Sequence, residues 1–366
     1  MALPFPVEEV LEGRARLLVP RIPRRGGPGT KGPWPFYNPT MVVSRDVSAL
    51  ALLKWPVPLR VVLDGLAATG AWGIRMVLEA GVGEMLFNDQ LASACNLVRE
   101  NLHRNGIVAN VRCARFGAVL DDRPFDFVDI DPFGPPVRFL EDAFRVPAVP
   151  AGLGVTATDT AVLSGTYPDA CQRRYGAQSL RCPQGHEIGL RLMLGFCARL
   201  AARAGHAVRP LLAFSAEHFL RVFLLVEPLR RPPPLGHVQW LGPGVFLPTE
   251  AEAERSVGPL WLGPIVDGPF VRGLTASEWT GHAAAVLLDR LQREEGMPPF
   301  FYTTDELAAH ERSNAPRMER LLDAFRESGF RATRTHFHPR GFKTEAPANE
   351  VARVFREAAA SGPTGG

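Results

Sequence analysis

The residues with the clearest chemical potential in this 366-residue chain are carboxylates that each close an apolar run. The segment Phe125-Asp-Phe-Val-Asp-Ile-Asp-Pro-Phe-Gly-Pro-Pro136 delivers Asp131 at the tip of an apolar stretch. Pro132 then stiffens the turn, and Gly134 permits a backbone angle that other residues resist. Phe133 sets an aromatic face beside that carboxylate. A carboxylate can accept an N–H from the amine of a planar heterocycle and later take its proton, while an aromatic ring holds the heterocycle by stacking. Such an amine is a poor nucleophile, because its lone pair is delocalised into the ring, and it needs both kinds of help. Asp126 and Asp129 share the same run, and repulsion among three acids would lift one of them toward the range of a base.

Two further acids have a different setting. Asp64 follows the short run Leu59–Leu63 and leads into Gly65, Gly70 and Gly73. Glycines let a backbone approach a ligand closely, and the start of the next helix offers unpaired N–H groups. Asp89 follows Glu84–Phe87 at a distance from Gly70 that suits hydrogen bonds to ribose hydroxyls. This half of the pattern implies a cofactor containing a nucleoside. Gly65-Leu-Ala-Ala-Thr-Gly70 departs from G-x-G-x-x-G, so it would serve a dinucleotide pyrophosphate poorly. A nicotinamide-dependent oxidoreductase is therefore the weaker alternative.

Strands alternating with helices must position these acids. The runs 59–63, 84–87, 108–113, 125–130 and 153–158 read as strands, and 91–105 and 187–204 as helices. Stretches 208–214 and 219–227 read as a neighbouring antiparallel pair. The fold class expected is α/β, a mostly parallel doubly wound sheet of Rossmann-like type, with ligands bound beyond the carboxyl ends of the strands. Four prolines between Pro228 and Pro234 mark a linker. Beyond it, helices over 280–295, 304–312 and 316–327 precede strands over 330–337 and 341–344, the element order of a winged helix-turn-helix in a smaller α+β domain. The first 40 or so residues read as irregular, with Arg21, Arg24, Arg25 and Lys31 on a loop that could face a substrate.

Composition narrows the class. Hydrophobic residues make up 46% and charged residues 22%, as in globular proteins. No apolar run approaches the ~20 residues of a membrane helix, and Met1–Val10 carries no secretory pattern, so the expectation is a soluble cytoplasmic protein. Five scattered cysteines without a C-x-x-C pair argue for idle thiols and against a metal site. The net charge of +3 favours an anionic partner only weakly.

Several segments together resemble the tRNA guanine-26 N2-dimethyltransferases. They are Asp129-Ile-Asp131-Pro-Phe133-Gly, Val155-Thr-Ala-Thr-Asp-Thr-Ala161, Cys171-Gln-Arg-Arg-Tyr-Gly, Phe36-Tyr-Asn-Pro39, Ser44-Arg45-Asp46, Gly258-Pro-Leu-Trp-Leu-Gly-Pro264, Ala332-Thr-Arg-Thr-His-Phe337 and Gly341-Phe-Lys-Thr344. The likeness runs from about residue 11 to residue 350. It implies a class I methyltransferase domain over 1–228, a tRNA-binding C-terminal domain over 229–366, and S-adenosyl-L-methionine as cofactor. It implies transfer of one or two methyl groups to the exocyclic N2 of guanosine 26. Another RNA position for the same chemistry is the near alternative. Arg45, Arg75 and Asp89 match the family's cofactor contacts, Asp131 its catalytic acid, and Phe36 and Phe133 the aromatic pair that sandwiches the guanine. Asp64 and Gly70 join the cofactor set from the strand-end pattern. Phe116 joins it because Arg115-Phe116 stands where the family has an acid. Trp72 replaces one arginine of the family's glycine turn. Gly185-His186-Glu187 lacks the cysteine that commonly precedes His-Glu, and no cysteine cluster is left for zinc.

The RNA would be held by Arg312, Arg317, Arg320, Arg326, Arg331, Arg334, Arg340 and Lys343, set against Glu311, Glu319, Asp323, Glu327 and Glu345. The target base must leave its stack to reach a cleft at the sheet edge.

Overall fold

The acids come together because five parallel strands end side by side. The computed structural model describes residues 3–21, 34–146, 148–251 and 253–360; Arg24, Arg25 and Lys31 of the expected arm lie outside the described residues. The chain forms two compact units. The first comprises Met1–Asp159, Cys197–Pro233 and Pro269–Leu288, the second Thr160–Phe196, Pro234–Gly268 and Asp289–Gly366. The expected division after residue 228 lies in the same proline run as the Pro233/Pro234 passage. The chain also changes unit after Asp159, Phe196, Gly268 and Leu288, which a single boundary does not contain.

In the first unit, β1 (Val7–Glu12) and β2 (Ala15–Pro20) form an antiparallel hairpin. This corrects the reading of the first 40 residues as irregular. Alternation in Ala15-Arg-Leu-Leu-Val-Pro20 buries Ala15, Leu17 and Val19. Its outer edge is satisfied by a side chain: Leu18 N donates to Asn101 Oδ1 at 2.7 Å and Asn101 Nδ2 donates to Leu18 O at 3.0 Å, so one amide acts as a strand neighbour.

The central sheet contains β3 (Val61–Asp64), β4 (Glu84–Asn88), β5 (Asn110–Arg112), β6 (Phe127–Ile130), β7 (Gly152–Ala157), β8 (His206–Ala216) and β9 (Phe219–Pro228) in the order β5-β4-β3-β6-β7-β9-β8. The first five are parallel. The last two run antiparallel and close the sheet, as the sequence pattern indicates. Strand order reverses between β3 and β6, where Asp64 is paired with Asp129. A ligand crevice belongs at that switch point. Helices α1 (Val42–Leu53), α2 (Ala71–Arg75), α3 (Ala92–Arg104), α4 (Phe116–Asp122) and α5 (Val137–Arg145) belong to the same unit. After α2 the chain loosens into a π-helical turn, Met76–Ala80.

Two of the cysteines expected to be idle thiols are not: Cys95 of α3 and Cys113, just past β5, form a disulfide. Their spacing carries no disulfide signature, and only the return of β5 alongside α3 brings them together.

The second unit holds two small sheets. Strands β10 (Leu235–Gly242), β11 (Val245–Thr249) and β12 (Ser256–Trp261) form one, in the order β11-β10-β12. Glycine and proline punctuate these strands, and the alternation of buried side chains is correspondingly weak. Strands β13 (Tyr302–Thr303), β14 (Ala332–Arg334) and β15 (Gly341–Thr344) form the other, in the order β13-β15-β14. Helices Thr304–Glu311 and Met318–Glu327 precede the β14–β15 pair, as expected. Leu321, Phe325, Phe342 and Phe355 centre the apolar cluster beneath them.

Candidate active site

Asp131 stands directly after β6, beyond the carboxyl end of the sheet. The turn it opens is pinned by Thr158: Gly134 N donates to Thr158 Oγ1 at 2.7 Å, and Thr158 N donates to Gly134 O at 3.2 Å. Phe133 is left 45% exposed, an unusual position for a phenyl ring and a usable one for stacking. Phe36 meets it edge to face, with centroids 4.7 Å apart. Rings in contact leave no space for a base between them, so they must part to admit one.

Burial pushes the Asp131 carboxyl above its ordinary value, opposed by the Arg221 charge, a hydrogen bond from Thr156 and the Arg45 charge. The crowding of three acids inferred for this strand is only partly present. Asp126 faces the opposite end of β6, where its Oδ2 accepts from Arg60 N at 2.8 Å and Val61 N at 2.9 Å. Asp129 is ion-paired with Arg221; burial lifts its carboxyl to about 6 in spite of that partner. Asp64 is raised well above the ordinary range, first by burial and then by the nearby Asp129, while its bond from Gly73 N opposes the rise.

On the cofactor side, Asp89 is held by backbone amides, Ala68 N on Oδ2 at 3.0 Å and Leu91 N on Oδ1 at 2.9 Å, with Gln90 adding a third. A carboxylate offers about four acceptor sites, which leaves room for a hydroxyl donor. Gly70 is left-handed (φ 78°), as the tight turn into α2 requires, and Ala68 is also left-handed (φ 48°), a strained angle for alanine. Phe116 opens α4 and lies against Gly65, where a Cβ would come within 2.5 Å of its Cε2. A fixed acid, a close-approach loop and a neighbouring aromatic ring form a donor set that fits a ribose-bearing cofactor.

Arg45 and Arg75 are both buried among carboxylates. Arg45 grips Glu12 with Nε at 2.5 Å and Nη2 at 2.7 Å. Arg75 donates to Glu12 at 3.1 Å, Asp46 at 2.6 Å and both Glu79 oxygens, and its guanidinium lies 5.7 Å from the Trp279 ring centroid. Of its five N–H groups, one on Nη1 has no acceptor in this cluster.

The family model for the N2,N2-dimethylguanosine tRNA methyltransferases matches residues 29–230 and 248–356. The chain belongs to this family. A tRNA (guanine(26)-N(2))-dimethyltransferase of Thermococcus kodakarensis is 37% identical, over 95% of this chain and 98% of that protein. One from Metallosphaera sedula is 34% identical, over 98% and 99%. The solved structure of Trm1 from Pyrococcus horikoshii with S-adenosyl-L-methionine superposes with a TM-score of 0.83 at 32% identity, covering 95% of this chain and 99% of that one. The match over both units makes the fold a Rossmann-like methyltransferase with a second α+β domain.

Trp72 is buried and stacks on Phe127 (centroids 6.2 Å, planes 12° apart), so it fills core volume. No cluster of three or more His, Cys, Asp or Glu able to hold a metal occurs among the described residues, and no helix among them is long and apolar enough to cross a membrane. Lys343, expected to face RNA, is instead buried, with Nζ on Glu187 at 2.9 Å. Arg326, Arg331, Arg334 and Arg340 pair with Asp323, Glu345, Glu319 and Asp305. Motif reading missed Arg221, Thr156 and Ser48. The one visible signal was an arginine inside the apolar strand Phe219-Leu-Arg-Val-Phe223.

Proposed function

We propose that this chain methylates the exocyclic N2 of guanosine 26 in tRNA, using S-adenosyl-L-methionine and adding one or two methyl groups, in the cytoplasm. The observation that carries the reading is the placement of Asp131 at the sheet's switch point beside the exposed ring of Phe133, in a chain of this family. When bound, the cofactor supplies a methyl group made electrophilic by a sulfonium centre. Asp89, Asp64, Gly70 and Phe116 would hold its nucleoside, and Arg45 and Arg75 are the further contacts the family resemblance proposes.

The flipped base would enter between Phe36 and Phe133 once the rings part. An ionised oxygen of Asp131 accepts one N–H of the amine and draws electron density onto N2. As the new N–C bond forms, the same oxygen takes that proton. After one methylation N2 still carries a single hydrogen, so the same acceptor serves a second round. Arg312 and Arg317 are exposed and Arg320 half-buried, and none of the three has an ion-pair partner among the described residues; they are the cations proposed to meet RNA phosphates.

The test is nucleoside mass analysis of a tRNA transcript after incubation with the protein and S-adenosyl-L-methionine, beside a transcript bearing adenosine at position 26. Dimethylguanosine in the first and none in the second is expected. Methylation that persists in the second transcript places the target elsewhere.

A further inference from the structure

A buried arginine stands behind the candidate catalytic acid, and its hydrogen bonds run in one direction. Arg221 lies on β9 directly opposite Thr156 of β7 in the antiparallel register. Its Nη1 donates to Thr156 Oγ1 at 3.0 Å; its Nη2 pairs with Asp129 Oδ1 and lies 3.4 Å from Ser48 Oγ. Guanidinium can only donate. Ser48 gives its own hydrogen to Ser44 O at 2.7 Å, so toward Arg221 it can only accept. The Thr156 hydroxyl likewise accepts from Arg221, which leaves its single hydrogen for another acceptor; the register that sets Ile130 of β6 beside Val155 of β7 brings the next residue, Asp131, alongside Thr156, and Thr156 is among the groups that favour its ionised form.

The backbone leaves room for the arrangement. Gly154 is two residues before Thr156 on the same face of β7, and a Cβ there would fall 2.5 Å from Asp129 Oδ1 and 2.8 Å from Arg221 Nη2. An arginine 1% exposed in the middle of a sheet is rarely accommodated unless its donors are matched.

We propose that Thr156, oriented by Arg221, is a positioning residue that occupies one oxygen of Asp131 and so leaves the other to face the substrate amine. The proposal rests on the role assigned to Asp131. Thr156 favours the ionised carboxylate, as do the charges of Arg221 and Arg45, against burial; the neighbouring Asp129 and Asp64 carboxyls are themselves pushed up by the Asp131 charge. Removing the hydroxyl therefore raises the Asp131 pKa, and the acid limb of the activity profile moves to higher pH.

The experiment compares Thr156→Val, Thr156→Ser and Asp131→Asn by kcat, KM for tRNA and cofactor, and kcat against pH. Thr156→Val is expected to lower kcat about ten- to a hundredfold, the size of one hydrogen bond to a charged group. KM should stay within about twofold, the acid limb should move upward, and Thr156→Ser should restore both values. Should Thr156→Val fail to fold, Thr156→Ala against Thr156→Ser makes the same comparison. An unchanged kcat and pH profile in the hydroxyl-free variant, with Asp131→Asn inactive, overturns the proposal alone. An active Asp131→Asn overturns the role of Asp131 itself.

Discussion

Arg75 and Arg221 are two arginines of one unit with almost the same exposure, 0% and 1%, and they do different things. Around Arg75 stand three carboxylates from separate pieces of chain: Glu12 at the end of β1, Asp46 on α1, and Glu79 one turn further on. Around Arg221 stand one carboxylate and two hydroxyls. The first arrangement consumes nearly every donor in joining elements and acts as a fastener. The second passes a direction from a charge, through a hydroxyl, to a carboxylate at the sheet's end. Burial alone does not distinguish structure from function; the identity of the partners does.

The sharpest way to break this contrast is to remove the fastener. Arg75→Met leaves Asp46 and Glu79 without their cation, and breaking a buried pair in this way costs about 3–5 kcal/mol. Chemical denaturation should show that loss at neutral pH, and it should shrink in acid. Burial would raise the pKa of Glu12, yet Arg45's charge and hydrogen bond, aided by Tyr37 and Arg75, hold it below its ordinary 4.5. A carboxyl lowered by folding contributes stability above its unfolded pKa and loses that contribution as pH falls through the folded value. The wild-type protein therefore loses the Glu12 contribution as the pH falls from the ordinary carboxyl value through the lowered folded one, and the two curves draw together there. A loss that stays constant with pH would mean that Arg75 acts through packing rather than charge.

A milder substitution probes the second arginine without touching it. Gly154→Ala pushes a methyl group into the Asp129–Arg221 pair. Both side chains are enclosed, so the expected penalty is about 1–3 kcal/mol, typical of overpacking. The same variant should lower kcat, because Arg221 can no longer hold Thr156 in place. Destabilisation with full activity would separate the pair from the site and remove the contrast between the two arginines.

How far the sequence discloses these roles depends on where the partners come from. The strand-end acids were legible, because a strand's direction and its final residue are local properties. Asp131, Asp89 and Asp64 all stand where that reading puts them. The engagement of Arg45 and Arg75 with Glu12 was not legible, since the first residues show only weak alternation and read as irregular. Asp126 was grouped with the wrong neighbours: strand periodicity puts acids on one run but does not say that one of them caps the start of β3. Arg221 shows in the sequence only as an arginine inside an apolar strand. Apart from the Phe223 ring two residues on, its partners arrive from β6, β7 and α1 only when the sheet is assembled.

The contrast extends to arginines on the surface of the second unit, where it yields the smallest of the expected effects. Arg326, Arg331 and Arg334 each have a carboxylate within 3.0 Å, whereas Arg312, Arg317 and Arg320 have none within ion-pair distance among the described residues. A paired guanidinium must give up its partner before it can meet a phosphate, so neutralising the unpaired set should matter more. Replacing Arg312, Arg317 and Arg320 together by alanine is expected to weaken tRNA binding about tenfold at 0.1 M salt and to flatten the log–log salt slope by about 2–3. S-adenosylhomocysteine binding should be unaffected. Alanine at the three paired positions should change the slope by less than about 1. Titration of labelled tRNA over a series of salt concentrations measures both. If the paired set flattens the slope as much as the unpaired set, carboxylate pairing does not decide which arginines meet RNA, and the rule drawn from Arg75 and Arg221 stops at the protein interior.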